Sequence, residues 1–345
     1  MENFFAVIMA GGKGERLWPL SREKKPKPFI EILDKPLINL TYNRLKKIVP
    51  EKNIIVIVPS YLANITKKYL PGVKILKEPF PKNTLATCIY STFYIYKKSK
   101  DAVIGIFPAD HIIKDEKIFN KIVNFAFKNV KDSIITFGIK PNRPETGYGY
   151  IELGNSLYRE DNLEIREVLR FHEKPDKEKA LNYLKRGNFM WNSGIFIFKA
   201  EGFFNILKEA NPSIYELLKY LENKKVKKFF EMIPETSIDY GVLEKTNRLN
   251  SIPSDFGWED LGSFLSFENV LPRDNEGNTF KGNPIFLDSK NNIVFSKEKK
   301  VIFYKIENLA FIDSGDIILV FPKYESQKIK ELLKELKKIM SKKYF

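Results

Sequence analysis

The chain has 345 residues, 43% hydrophobic and 14% aromatic, a composition that suits one to three globular domains and excludes a disordered chain. Its net charge of +15 admits either a phosphate-rich partner or a lysine-rich surface with no special partner. A single cysteine, Cys88, excludes an internal disulfide framework and thiolate metal clusters, and two histidines, His111 and His172, argue against a multi-histidine metal site.

No helix-turn-helix, zinc-finger or RNP-type signature is visible, so no nucleic-acid partner is expected. No run approaches the ~18 uninterrupted apolar residues of a membrane helix, and the N-terminus runs straight into a glycine turn instead of a leader-like apolar core. A soluble, cytoplasmic protein with no membrane role is the expectation.

In chain order, "FFAVIMA", "NIIVIVPS", "AVIGIFPAD" and "SIITFGIKP" read as strands. They alternate with helical patterns at 37–48, roughly 84–98 and 116–130. The strands are continuous apolar runs, as expected when both faces are covered, so the fold class is α/β with a mostly parallel sheet. In such sheets ligands bind beyond the carboxyl ends of the strands. That rule selects Gly11–Arg16 after the first strand and "PADH" after "VIGIF". From about residue 141 the pattern changes to strands broken by turns, with one short helix at 176–186, which reads as a second lobe. A helical stretch follows to about 250. Residues 269–283 form a turn-rich linker. Closely spaced β-like pieces then suggest a small solenoid. Ile329, Leu332, Leu333, Leu336 and Ile339 share one face of a final helix, expected to pack on this β region or on a subunit partner. The C-terminal part is expected to serve assembly, with a homodimer as the first expectation.

The stretch "AVIMAGGKGERLWPLS" is not a Walker A loop, because Lys13 is followed by Gly14, and it fails the dinucleotide fingerprint, because position 17 is leucine. The physical logic of phosphate binding survives both failures. Glycines let backbone N–H groups approach an anion, a helix or turn start adds a favourable dipole, and Arg16 can grip phosphate with two N–H groups. Lys27 follows between Pro26 and Pro28, which hold it on a stiff segment.

Together "AGGKGERLWPLSREKKPKPF" resembles the signature of the sugar-1-phosphate nucleotidylyltransferases, most closely the mannose-1-phosphate guanylyltransferase branch. Pro28 stands where that family usually has Gln. "EPFPKNTLATCI" resembles a second family segment, with Leu85 and Thr87 departing from it. "FPADHII", "TGYGYIE", "FHEKP", "WNSGIF", "SIDYGVLEK" and "WEDLGSF" all have counterparts in the same order. The resemblance implies a Rossmann-like nucleotidyltransferase domain over residues 1–270, its sugar-binding lobe at about 141–265, and a β-helix-like domain over 280–345.

The implied reaction joins GTP and mannose 1-phosphate to give GDP-mannose and pyrophosphate. An oxygen of the sugar phosphate attacks the α-phosphorus in line, with no protein nucleophile. Positioning and charge neutralisation then carry the catalysis. By resemblance, the backbone at Ala10, Gly11, Gly12 and Gly14 wraps the nucleotide. Arg16 and Lys27 are the catalytic cations, and Glu78, Asn83 and Thr84 contact the base. Gly149, Glu173, Lys174, Asn192 and Asp239 hold the sugar phosphate. Turn formation for Asn192 and a helix N-cap role for Asp239 are the structural alternatives. Both Glu173 and Lys174 can reach one ligand only if the chain bends there, since neighbours on a strand face opposite ways. Mg²⁺, or Mn²⁺ in its place, is expected on Asp110 and Asp260, with Glu259 the alternative to Asp260. His111, beside Asp110, invites a metal or acid–base role, but this chemistry needs no histidine proton shuttle, so it and His172 read as structural, while Trp18 and Trp258 read as packing beside the motifs. Two rival readings are another hexose-1-phosphate nucleotidylyltransferase using dTTP or UTP, and a non-catalytic regulator that binds nucleotide sugars.

Overall fold

The computed structural model describes residues 3–345. Contacts divide the chain into two compact units. The first comprises Met1–Gly11, Thr41–Pro108 and Ile113–Trp258; the second comprises Gly12–Leu40, Ala109–Ile112 and Glu259–Phe345. This division does not follow the sequence order. The segment holding the glycine loop and Lys27 folds with the C-terminal β region, because both contribute to one apolar core: Leu17, Trp18, Ile30, Ile32 and Leu37 pack with Phe264, Phe295, Ile312, Phe321 and Leu333.

The first unit is built on a nine-stranded sheet. Four strands, β1 (Phe4–Met9), β2 (Ile54–Pro59), β3 (Lys74–Glu78) and β4 (Val103–Pro108), lie parallel in the order β3-β2-β1-β4. The run "IIVIVP" of β2 is buried at every position. β-Branched residues covered on both faces explain why this run sits inside the sheet. β3 has no counterpart among the expected strands; its lysines are exposed and it lies at the sheet edge.

Past β4 the sheet becomes mixed. Phe189–Lys199 runs antiparallel to β4 and to Ile134–Ile139, and it also pairs with Tyr150–Glu160. The strands expected to form a second lobe therefore continue the same sheet. Leu249–Ser254, which in the sequence reads as the end of a helical stretch, is a further strand parallel to Ile134–Ile139. The helix expected at 176–186 forms at Lys177–Arg186, where the Asp176 carboxylate accepts from the Lys179 N–H (2.8 Å) and Gly187 ends it in a left-handed conformation.

The second unit contains the solenoid. Thr279–Lys281, Ile293–Phe295 and Leu309–Asp313 stack in parallel register, and Ile285–Leu287 stacks likewise on Ile302–Tyr304. Buried asparagines hold one corner: Asn278 Oδ1 accepts from the Asn292 backbone (3.0 Å), and Asn292 Oδ1 accepts from the Leu309 backbone (3.0 Å). This is a small β-helix. In the final helix, Ile329–Ile339, Ile329 and Leu333 are buried in the unit's own core with Leu332 and Leu336 against it, whereas Ile339 is 80% exposed. Among the described residues, no helix is long and apolar enough to cross a membrane.

Candidate active site

In the second unit, three sequence-distant residues meet at one ammonium. Pro26 caps the short 3₁₀ turn Lys27–Phe29, and Lys27 is only 9% exposed. Its Nζ lies 2.7 Å from Asp110 Oδ2 and donates to the Asp260 carbonyl at 2.6 Å, across 233 residues of chain. Burial alone would raise the Asp110 pKa; the Lys27 ammonium, with His111 and hydrogen bonds, holds it below the ordinary aspartate value. Asp260 Oδ1 accepts the Gly262 N–H (2.9 Å). The neighbouring carboxylate of Glu259 is buried and accepts from the Asn269 amide (2.7 Å).

The glycines divide into two kinds. Gly14 is left-handed (φ +69°), and a Cβ there would collide with the Cβ of Lys27. The fold itself requires it. Gly11 and Gly12 are exposed, and a Cβ on either would meet only ordinary contacts, Pro59 at 3.4 Å and Asp110 Oδ2 at 4.0 Å respectively. The Ala10 N–H donates to the Ile57 carbonyl (3.0 Å), so its contribution to a ligand is limited to its carbonyl and Cβ. A single 3₁₀ turn, Glu15–Leu17, follows the loop, so no α-helix dipole is aimed at it. What the loop offers an anion is backbone N–H groups and cations, including the exposed Arg16.

In the first unit, all five residues expected at the sugar phosphate gather. The strand before them ends at His172, and Lys174 takes a left-handed backbone (φ 49°). That is the bend the sequence required, and Lys174 Nζ closes an ion pair on the Glu173 carboxylate. Gly149 makes room for this carboxylate: a Cβ there would stand 2.6 Å from Glu173 Oε2. Asn192 accepts from Thr136 Oγ1 (2.7 Å) and donates to Asp239 Oδ1 (3.1 Å), while its Oδ1 also accepts the Gly194 N–H (3.2 Å). Turn formation at Asn192 thus coexists with its contacts to Thr136 and Asp239. Asp239 is not a helix cap; Ser237 caps Ile238–Gly241, and Asp239 lies inside the turn. Burial, reinforced by the charge of Glu173, pushes the Asp239 pKa up to about 7.

The base candidates lie in the same unit. Asn83 and Thr84 open the helix Asn83–Tyr96, and Thr84 Oγ1 accepts the Ile238 N–H (3.0 Å), tying this helix to the turn that carries Asp239. A cleft of about 390 Å³ is lined by Asn83, Thr84, Lys174, Glu235, Asp239 and Tyr240. Glu78 closes β3, 4% exposed, and accepts from Thr87 Oγ1 (2.5 Å). Burial pushes its pKa up to about 7 against that hydrogen bond. Thr87, a departure from the family segment, is therefore the partner of a candidate base contact.

Sequence reasoning missed Thr136, Tyr240 and Glu244, whose carboxylate accepts the Glu173 N–H (3.1 Å). Thr136 had a signal, since it is the only hydroxyl in the apolar run Ile134–Ile139. Two of the remaining singled-out residues pack. His172 stacks on Tyr183 with centroids 5.5 Å apart, and Trp258 meets Tyr148 edge-on at 5.2 Å. Cys88 is fully buried, and burial pushes its thiol pKa up, away from nucleophilic use.

Comparison with known proteins yields consistent matches. Residues 5–277 match the nucleotidyl transferase family, and residues 282–336 match the mannose-phosphate isomerase/GMP-like β-helix domain. The chain is 35% identical to mannose-1-phosphate guanylyltransferase 2 of Escherichia coli O157:H7, over 96% of this chain and 73% of that protein. It is 32% identical to mannose-1-phosphate guanylyltransferase of Salmonella muenchen, over 98% of this chain and 74% of that protein. A crystal structure from Thermus thermophilus, described as mannose-1-phosphate geranyltransferase, superposes with a TM-score of 0.90 at 31% identity, covering 97% of this chain and 99% of that one.

Proposed function

The chain belongs to the mannose-1-phosphate guanylyltransferase family of nucleotidyltransferases, and on that premise we propose that it converts GTP and mannose 1-phosphate into GDP-mannose and pyrophosphate. The observation that carries this reading is the convergence of Lys27, Asp110 and Asp260 on one ammonium. A buried lysine held among oxygens is poised to exchange a carboxylate partner for a phosphate.

In the reaction, an oxygen of mannose 1-phosphate forms a bond to the α-phosphorus of GTP, and the bond from that phosphorus to the bridging oxygen of pyrophosphate breaks. No proton need move. Lys27 neutralises charge at the reacting phosphates, and Arg16 holds the triphosphate end and the departing pyrophosphate. Gly11 and Gly12 let the main chain approach the nucleotide. The fold leaves room for a side chain at both, so their being glycine is accounted for by the ligand. Glu78, Asn83 and Thr84 receive the guanine end. A buried carboxyl such as Glu78 suits the N1–H and amino donors of guanine. Lys174 pairs with the phosphate of the sugar substrate, Glu173, Asn192 and Asp239 take its hydroxyls, and Gly149 keeps the backbone close to the ring.

Asp110 and the Asp260 segment already surround a cation with oxygens alone, which suits a hard divalent ion. Among the described residues no three acidic, histidine or cysteine side chains are grouped so as to hold a metal ion by themselves, so the remaining ligands would be phosphate oxygens and water. Mg²⁺ on these aspartates, with Mn²⁺ as substitute, would neutralise the α-phosphate. Asp260 is the better candidate than Glu259, whose carboxylate faces Asn269.

Catalysis is assigned to residues 1–270, with the sugar contacts within 141–265, in a cytoplasmic homodimer. Dimerisation is supported by apolar side chains left exposed on one ladder of the β-helix, Ile285, Leu287, Ile302 and Tyr304. The test is pyrophosphate release with each of four nucleoside triphosphates against several hexose 1-phosphates, with and without chelator. GTP with mannose 1-phosphate should give the highest kcat/KM, and activity lost in chelator should return with Mg²⁺. Preference for dTTP or UTP with glucose 1-phosphate would overturn the substrate assignment, and no turnover of any pair would overturn the activity.

A further inference from the structure

Trp18 and Arg22 belong to the most recognisable stretch of the chain, yet neither has a role in the chemistry above. Both face the C-terminal part of their own unit. Trp18 Nε1 donates to the Tyr344 carbonyl (2.9 Å), and its ring stacks on Phe345 with centroids 6.0 Å apart and planes 18° from parallel. Arg22 forms a two-pronged pair with Asp316, its Nη1 donating to Oδ2 at 2.7 Å and its Nη2 to Oδ1. Nη2 also donates to Ser314 Oγ (3.0 Å), and Nε to the Pro19 carbonyl (3.2 Å). The guanidinium fork is thereby fixed in one orientation.

From this anchor the constraint passes to the phosphate-handling residues through short, stiff links. Ser21, next to Arg22, donates from Oγ to the Gly14 carbonyl (2.5 Å). Arg22 and Lys25 exchange both backbone hydrogen bonds (3.0 Å each), closing a tight turn that delivers the chain to Pro26 and Lys27. Gly14 in turn packs on the Lys27 stem. The loop thus has two anchors, one on each side of Pro19, both in residues 314–345.

We propose that Arg22, through Asp316, and Trp18, through Tyr344 and Phe345, are positioning residues that hold the glycine loop and Lys27 in register for the triphosphate, so that the C-terminal β-helix domain is part of the catalytic apparatus in addition to any role in assembly. The proposal rests on the reading that Lys27 and the glycine loop handle the phosphates of GTP. Its energetic basis is orientation: a displacement of about 1 Å at a reacting group can cost up to ~100-fold in rate. The pair is only half open to water, Asp316 being 49% exposed and Arg22 18%, so the signature is a loss of rate out of proportion to any change in melting temperature.

The experiment compares the full chain with Arg22→Ala, Arg22→Lys, Asp316→Asn, the Arg22→Asp/Asp316→Arg exchange and Arg22→Ala/Asp316→Asn. Pyrophosphate release, melting temperature and hydrogen exchange of residues 12–29 are measured. Arg22→Ala and Asp316→Asn should each lower kcat about 10-fold or more, with KM for mannose 1-phosphate and the melting temperature nearly unchanged. Arg22→Lys should not rescue, because lysine cannot supply the fork. The exchange should restore part of the rate, and the double variant should be no worse than the worse single one. Faster hydrogen exchange across 12–29 in Arg22→Ala is expected, and it reads the clamp without reference to catalysis. Wild-type kcat in Arg22→Ala, unchanged exchange in 12–29, or rate losses that multiply in the double variant would overturn the clamp. Failure of the wild-type chain to turn over GTP with mannose 1-phosphate would instead overturn the functional reading.

Discussion

Replacing Lys27 by methionine keeps the stem that packs on Gly14 and removes the charge. In the wild type that charge has two oxygen partners, Asp110 Oδ2 and the Asp260 carbonyl. Breaking a fully buried pair from one side costs about 3–5 kcal/mol. Asp110 keeps 22% of its side chain in contact with water, so part of its carboxylate is resolvated and about 1–2 kcal/mol is the better expectation. A domain stable by roughly 5–15 kcal/mol stays folded after such a loss. Turnover should nevertheless fall ~10²–10³-fold, the scale for removing one positioned charge donor. A pH series separates the two effects. The folded Asp110 pKa lies below its unfolded value, so its contribution is present above about pH 4 and is lost as pH falls through the folded pKa. In Lys27→Met, burial acts on Asp110 without the ammonium to oppose it, and the carboxyl is pushed up. The stability gap between wild type and variant should therefore be widest near neutrality and close in acid. Coupled pyrophosphate release and thermal melts at pH 4 to 8 measure both. Turnover within a few-fold of wild type, or a stability gap that widens in acid, would refute this account of Lys27.

Three further outcomes follow from the geometry. Gly12→Ala should melt like wild type yet use GTP poorly, whereas Gly14→Ala, left-handed and against the Lys27 stem, should lose at least about 1 kcal/mol of stability; melts alongside KM for GTP distinguish the two. Lys174→Ala should raise KM for mannose 1-phosphate about 10-fold or more, with little change for GTP, as expected for one lost charge-assisted contact; steady-state kinetics in each substrate check it. Asp239, with its folded pKa raised to about 7, contributes stability that is full below its unfolded pKa near 4 and is lost as pH rises through about 7. Asp239→Asn should therefore flatten the fall in melting temperature between about pH 4 and pH 7, with little difference in slope above that.

The strands β1, β2 and β4 were legible because each is a continuous β-branched or aromatic run, and burial on both faces leaves such a run little else to be. β3 was not, since "KILKE" holds only two apolar residues, flanked by lysines at a sheet edge, and resembles any short amphipathic piece. Leu249–Ser254 escaped for a different reason. Pro253 argues against an inner strand because it has no N–H to give a ladder, yet it stands opposite Gly138 past Asn250 and Ser251, the residues that pair with Leu163–His172 on the other side. The contact of Lys27 with Asp110 and Asp260 was only indirectly legible. Nothing in spacing or periodicity brings residues 233 apart together; resemblance placed all three at the nucleotide phosphates, the two aspartates as metal ligands, and gave no contact of either with Lys27. The grouping of the Gly12–Leu40 segment with the C-terminal β-helix was invisible for the same reason, because the partners of Trp18 and Arg22 lie about 300 residues downstream.

This bears on how much chemistry a motif match carries. In "GGKGERLWPLSR", Gly14, Leu17, Trp18 and Arg22 are each accounted for by contacts within the protein: a left-handed turn on Lys27, two places in the core and an ion pair to Asp316. Gly11, Gly12 and Arg16 are not; they are exposed, and the fold sets no steric requirement at the two glycines. A chain that only conserved the architecture would need the first group and could vary the second freely. The bland residues of the motif are thus its more informative ones, and the loop's function is better tested at Gly12 and Arg16 than at the tryptophan that makes the motif easy to recognise.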